Sequence, residues 1–246
     1  MSMRRGARRK RGCLVVFSGL DGAGKSTQIQ ILLSHCAQNG LRPEYLWSRG
    51  GYSPGMEFIK RVLRRLAPGK SIASSGDNPA RSRAFTRPIV RKLWLLAAIL
   101  DLHWLYGVRL RLWLRQGKVV IADRYLLDTR IDFGLNFPAE RCETWRSWHS
   151  LTRLAPDPDL AFMLLVPVEV SLRRSDEKKE PYRDTPAVLA HRLALYRQAA
   201  EQAPWIVLDG QRPVEEICAQ VRMEFEGHRA CRCSCQETSP HLEALS

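Results

Sequence analysis

The 246-residue chain predicts an α/β fold of three layers, a five-stranded parallel sheet with helices on both faces. Three observations carry that expectation. Short apolar or β-branched runs recur along the chain, helix-like stretches follow most of them, and the first run ends in a glycine-rich turn that opens into a helix. The length suits one domain with ample material for a core.

The elements follow in order. Cys13 to Phe17 reads as the first strand and Ser26 to Gln38 as the helix after it. Glu44 to Trp47 reads as a second strand, Met56 to Leu66 as a helix, and Pro68 to Pro79, rich in Ser, Gly and Pro, as a loop. Leu93 to Arg115 is one long helix or a broken pair, leading to a third strand at Lys118 to Ala122. Leu160 to Val166 and Trp205 to Leu208 supply the last two strands, with helices at Val188 to Gln202 and Val214 to Phe225. Residues 1–12 form a basic tail expected to be disordered, 13–226 the folded domain, and 227–246 a second disordered tail, because apolar periodicity is lost from about Gly227.

Composition excludes several classes. Hydrophobic residues at 45% and charged residues at 26% leave no support for a disordered or fibrous chain. The longest unbroken apolar run, Leu93 to Leu100, falls far short of the roughly 20 residues that span a bilayer, so no membrane association is expected. A net charge of +14 suits anionic substrates, and nucleic acid is expected only through the basic tail, if at all. The seven cysteines are unevenly spaced, which fits a reducing cytoplasm better than a disulfide framework. Cys231, Cys233 and Cys235 are too closely spaced for the usual zinc pairs.

The chemistry is carried first by Gly19-Leu20-Asp21-Gly22-Ala23-Gly24-Lys25-Ser26, a match to G-x-x-x-x-G-K-[ST] between a strand and a helix. Glycines at 19, 22 and 24 let consecutive N–H groups, including those of Ala23 and Thr27, turn toward phosphate oxygens at a helix N-terminus. Lys25 adds charge at the β- and γ-phosphates of ATP, and the Ser26 hydroxyl is a magnesium ligand. Asp123 and Arg124 follow at the end of an apolar strand, the edge where open α/β sheets bind ligands. A carboxylate there is a second magnesium ligand and a guanidinium there grips phosphate. Asp128 and Asp132, four residues apart, share a helix face. They accept from a substrate's hydroxyls or base amine, or cap a helix and sit in solvent. Ser171 to Asp184 mixes Arg173, Arg174, Lys178, Lys179 and Arg183 with acids, as a mobile lid would.

In this order the motifs resemble those of the thymidylate kinase family, P-loop nucleoside monophosphate kinases, over roughly Cys13 to Glu226. The resemblance implies ATP and Mg²⁺ as cofactors, a nucleoside monophosphate as acceptor with dTMP leading, and a homodimer through the long helix. It implies that Asp21 lies near the acceptor sugar, that Arg49 contacts the acceptor phosphate, that Arg124 bridges donor and acceptor phosphates, and that Arg174 and Arg183 are lid arginines acting in catalysis with Lys25 and Asp123. The chain departs from the family where a serine, then Ala-Tyr-Gln, should follow the Asp-Arg-Tyr motif: Asp128, Asp132 and Phe133 stand there, and the base-reading glutamine is missing. The Ala-Asp-Arg run of the family has no clear counterpart in Leu95 to Trp104. Two rival readings follow: a kinase of another small phosphorylated or hydroxylated metabolite, or a nucleotide-binding module without transfer.

Overall fold

The computed structural model describes residues 12–48, 87–177, 184–202 and 204–237. Arg49, Arg183, the expected helix Met56 to Leu66, the loop Pro68 to Pro79 and the basic residues up to Arg11 lie outside the described residues. Five strands form one sheet in the order β2-β3-β1-β4-β5, all parallel: β1 (Cys13–Gly19), β2 (Pro43–Trp47), β3 (Val119–Asp123), β4 (Leu160–Leu165) and β5 (Trp205–Asp209).

Alternation along β1 builds the layers. Every residue of β1 is buried, and successive side chains point to opposite faces. Cys13, Val15 and Phe17 pack with Ile29 and Leu32 of α1 (Lys25–Gln38), Leu189 and Leu193 of α7 (Pro186–Ala200), and Val221 and Phe225 of α8 (Val214–Glu237). Leu14 and Val16 face the other way, toward Leu95, Ile99 and Leu102 of α2 (Pro88–Leu102) and Leu151 of α5 (Arg146–Leu154). A strand apolar on both faces needs helices on both, which is the three-layer arrangement expected from the sequence.

Helix α2 does not stop at Leu102. It continues through a π-helical stretch, His103–Leu110, into α3 (Arg111–Arg115). A side chain at Gly107 would lie 2.3 Å from Leu154 Cδ2, so glycine lets this stretch close on α5. The joined run, Pro88–Arg115, is long and apolar enough by length and composition to cross a membrane, which the unbroken run Leu93 to Leu100 did not suggest. Its inner face is committed to the sheet through Leu95, Ala98, Ile99, Leu102, Tyr106 and Leu110.

The α-helices α5 and α6 (Val168–Glu177) went unpredicted, and α4 (Leu126–Asn136) was expected only through the face shared by Asp128 and Asp132. The first part of the expected lid, Ser171 to Glu177, is therefore helical. Residues 178–183 lie outside the described residues. Helix α8 runs on to Glu237, past the expected boundary at 226, and the turns beyond that point need little apolar periodicity because packing of the preceding turns against α1 anchors the helix.

Candidate active site

The chain runs from β1 out to one side of the sheet and returns to the other, so the carboxyl end of β1 sits at the switch point between β3 and β4, where α/β sheets bind ligands. Gly19 ends β1 and Asp123 ends β3. The loop between Gly19 and α1 is an open cradle. Gly19 has φ 136° and Gly22 has φ 73°, and a Cβ at Gly19 would meet Leu164 O at 2.2 Å. Only glycine fits both the conformation and the space. Helix α6 braces the loop from outside: Ser171 Oγ donates to Asp21 O at 2.7 Å, and Arg174 Nη1 donates to Gly22 O at 3.2 Å and Gly210 O at 2.9 Å. Arg174 is thus tied to the rim of the cradle through backbone carbonyls, whereas a lid arginine was expected.

Lys25 opens α1 and is buried, its Nζ donating to Gly19 O at 2.9 Å and Leu20 O at 2.7 Å. Burial, reinforced by the positive charge of Arg124, lowers its pKa to about 8. Ser26 and Thr27 beside it are exposed toward solvent.

Asp123 is buried, and the hydroxyl of Tyr45 donates to its Oδ2 at 3.3 Å. Its Oδ1 is buried with no hydrogen-bond partner, the kind of orphaned oxygen a hard cation satisfies. Among the described residues no cluster of three or more His, Cys, Asp or Glu could hold a metal. The orphaned carboxylate oxygen of Asp123 fits magnesium, which takes one or two protein oxygens and completes its shell with water and phosphate.

Arg124 has φ 74°, a left-handed conformation uncommon outside glycine and one that clusters at functional sites. Its N–H donates to Phe17 O at 2.9 Å and its carbonyl accepts from Ser48 Oγ at 3.0 Å, which fix the backbone. The guanidinium is buried and splits its edges: Nη2 pairs with Asp21, while Nη1 reaches Asp128 Oδ1 at 3.5 Å and Tyr196 Oη at 3.4 Å. Burial opposes its charge, but Tyr196 and the carboxylates of Asp21, Asp128 and Asp132 outweigh it and raise the pKa further. Arg124 stays cationic.

Asp128 and Asp132 do lie on one face of α4, but that face turns inward. Asp128 is 1% exposed and accepts from Ser18 Oγ at 2.6 Å, Tyr196 Oη at 2.7 Å and Tyr125 N at 3.1 Å, the last completing a capping box at the start of α4. Asp132 pairs with Arg192, which also donates from Nε to Asp184 Oδ2 at 2.7 Å. Asp128 caps α4, as one of the expected alternatives has it, but neither carboxylate sits in solvent: both lie in a buried contact between α4 and α7, which supplies Arg192 and Tyr196 one helical turn apart. Phe133, at the glutamine position, is 1% exposed and packs on Trp94 and Trp148.

The structure thus brings Asp21, Gly22, Ala23, Gly24, Lys25, Ser26, Thr27, Asp123 and Arg124 to one crevice, with Arg174 behind it. Sequence reasoning missed Ser18, Tyr45, Ser171, Arg192 and Tyr196. Each lies inside an ordinary strand or helix pattern, and no local motif marks it.

No family model matches the chain. It is similar to curated proteins named thymidylate kinase. That of Dinoroseobacter shibae is 32% identical over 221 residues, covering 85% of this chain and 94% of that protein. That of Bartonella henselae is 27% identical over 220 residues, covering 86% and 94%, and that of Rhodopseudomonas palustris is 29% identical over 220 residues, covering 86% and 87%. A likeness of that level over nearly the whole of both chains, joined to a phosphate cradle at the sheet's switch point, places this protein in the thymidylate kinase family.

Proposed function

We propose that the protein transfers the γ-phosphoryl group of ATP to a nucleoside monophosphate, dTMP foremost, giving dTDP and ADP. The observation that carries this reading is Arg124, a buried cation between the phosphate cradle and the acceptor side, paired on its open edge with Asp21. A binding module has no use for a second cation aimed across the cradle. Support for dTMP comes from the relatives, whose names state thymidylate kinase activity.

In this reading the cradle N–H groups and Lys25 hold the donor phosphates, and Ser26 and Asp123 would hold Mg²⁺, which would supply neutralisation of phosphate charge. Arg49 binds the acceptor phosphate and Asp21 lies by the acceptor sugar. An acceptor phosphate oxygen forms a bond to the γ-phosphorus, the bond to the β,γ-bridging oxygen breaks, and ADP leaves with that electron pair. Arg124 stabilises charge on the transferring group, Arg174 keeps the cradle in shape, and Arg183 takes the catalytic role that the family resemblance implies for it. The test is ADP release from ATP·Mg²⁺ with each nucleoside monophosphate separately. Turnover with dTMP is expected. Turnover with a different monophosphate alone moves the acceptor, for which the apolar Phe133 leaves room, since hydrogen bonds to a base discriminate far more strongly than apolar contact.

The outer face of the long helical run supports a homodimer. Ile89, Leu93, Leu96, Leu100, Trp104, Val108 and Leu112 recur every three or four residues and are exposed, Leu93 and Trp104 by more than half. Sedimentation at micromolar concentration is expected to give twice the 28.1 kDa chain mass, and Trp104→Glu to give the monomer. For its setting we propose the reducing cytoplasm, where the buried thiols Cys13, Cys36, Cys142 and Cys218 stay reduced.

A further inference from the structure

The two edges of the Arg124 guanidinium sit in different surroundings. Nη2 meets Asp21, whose side chain is 41% exposed, whereas Nη1 meets Asp128, 1% exposed, and Tyr196, which is fully buried. An exposed carboxylate in loop surroundings is free to be exchanged for another anion. The buried one is not: its two oxygens are also claimed by Ser18 Oγ, Tyr125 N and Tyr196 Oη, and its place at the start of α4 is set by the capping box. Taking such a carboxylate from its donors would leave a charge stranded in the interior, which burial strongly disfavours.

We infer that Asp128 and Tyr196 are positioning residues for phosphoryl transfer, a fixed seat for the Nη1 edge of Arg124 that leaves the Nη2 edge to pass from Asp21 to a phosphate oxygen. The inference rests on the proposed function for its substrate and goes beyond it by assigning roles to two residues that touch no ligand. The seat joins three elements of the fold. Ser18 belongs to β1, Asp128 to α4 and Tyr196 to α7, so the guanidinium is registered against the sheet and against a helix on its face. Arg124 already holds a left-handed backbone, and without a seat its long side chain has several rotamers that miss the cradle. Asp132 and Arg192, one turn along the same two helices, hold α4 and α7 in that register.

One opposing effect is of known sign. Asp128 is an anion near a site for anions, and neutralising it raises the local positive potential, which by itself tightens phosphate binding. Tyr196 carries no such ambiguity, because Tyr196→Phe changes no charge. Its ring also remains to fill the core.

The test is a pair of double-mutant cycles, Asp128→Asn and Tyr196→Phe, each with and without Arg124→Ala. Two readouts are taken on the full chain: kcat with ATP·Mg²⁺ and dTMP, and the Kd of inorganic tripolyphosphate with Mg²⁺ by calorimetry, which needs no acceptor. With Arg124 present, each single change is expected to lower kcat about tenfold, the scale of one hydrogen bond to a charged group. The same changes are expected to weaken tripolyphosphate severalfold. In the Arg124→Ala background both losses are expected to vanish, leaving for Asp128→Asn only the tighter phosphate binding that its lost charge produces. Equal losses in the two backgrounds, no loss from Tyr196→Phe, or tighter tripolyphosphate binding by Asp128→Asn with Arg124 present, overturns the inference. If the unmodified protein does not turn over dTMP while the tripolyphosphate cycle is non-additive, the acceptor assignment fails and the seat stands. Turnover of dTMP with an additive cycle gives the reverse.

Discussion

Lys25→Ala is expected to lower kcat with ATP·Mg²⁺ and a nucleoside monophosphate on the order of a thousandfold, because one preorganised cation at developing charge contributes on that scale. The fold should survive. Among the described residues Lys25 Nζ is held by the Gly19 and Leu20 carbonyls, which water can satisfy once the side chain is gone. A thermal midpoint close to that of the unmodified protein, with lost turnover, is the expected pair of results.

Lys25 also sets a pH dependence of defined sign. Its pKa is lowered from the ordinary 10.5 to about 8 by burial and by Arg124. Phosphate oxygens favour the charged form, so above about pH 8 binding must take up a proton, and ATP·Mg²⁺ affinity is expected to fall by up to about tenfold per pH unit. Stability of the ligand-free chain moves the opposite way. Between about pH 8 and 10.5 the unfolded chain holds the proton that the folded chain has released, so this group's contribution to stability rises with pH across that window. Calorimetric titrations at pH 7, 8 and 9 check the binding limb. The Lys25→Ala protein should lose that dependence.

Arg124→Ala is expected to cost about a thousandfold or more in kcat, the range measured for arginines that stabilise a transferring phosphoryl group, with a smaller change in ATP affinity. A drop in thermal stability should accompany it, since Asp128 is left as a buried carboxylate stripped of its nearest cation. Arg124→Lys separates the two effects. It retains the charge that balances Asp128, so most of the stability should return. Turnover should not, because an ammonium cannot present one edge to Asp128 and the other to Asp21 or a phosphate. Steady-state kinetics and thermal melts on the three proteins read both quantities.

The sheet and the cradle were legible in the sequence because both are local. β1, β3, β4 and β5 each carry a continuous apolar run, and the segment Gly19 to Ser26 specifies its own turn through glycine positions that no other residue fits. The same locality explains why Asp123 and Arg124 could be placed at the sheet edge, one residue either side of the end of β3. The bounds of the helix after them were not foreseen, although Tyr125 and Asp128 form its capping box, since an aromatic cap is not among the usual N-terminal signals.

Sequence by itself determined the fold class, the phosphate cradle, the paired Asp123 and Arg124, and the face shared by Asp128 and Asp132. Tertiary structure alone decided what that face meets. A spacing of four says that two carboxylates point the same way and says nothing of the partner, and the partner here is α7, more than sixty residues along the chain, whose Arg192 and Tyr196 turn the two acids into buried anchors. Arg174 was likewise readable as a basic residue near a flexible stretch, yet only the packing of α6 on the cradle gives its guanidinium the carbonyls of Gly22 and Gly210. The physical reason is common to both cases: a charged side chain is defined by the counter-charge or hydrogen bond that compensates its burial, and that partner is chosen by the approach of distant segments in space.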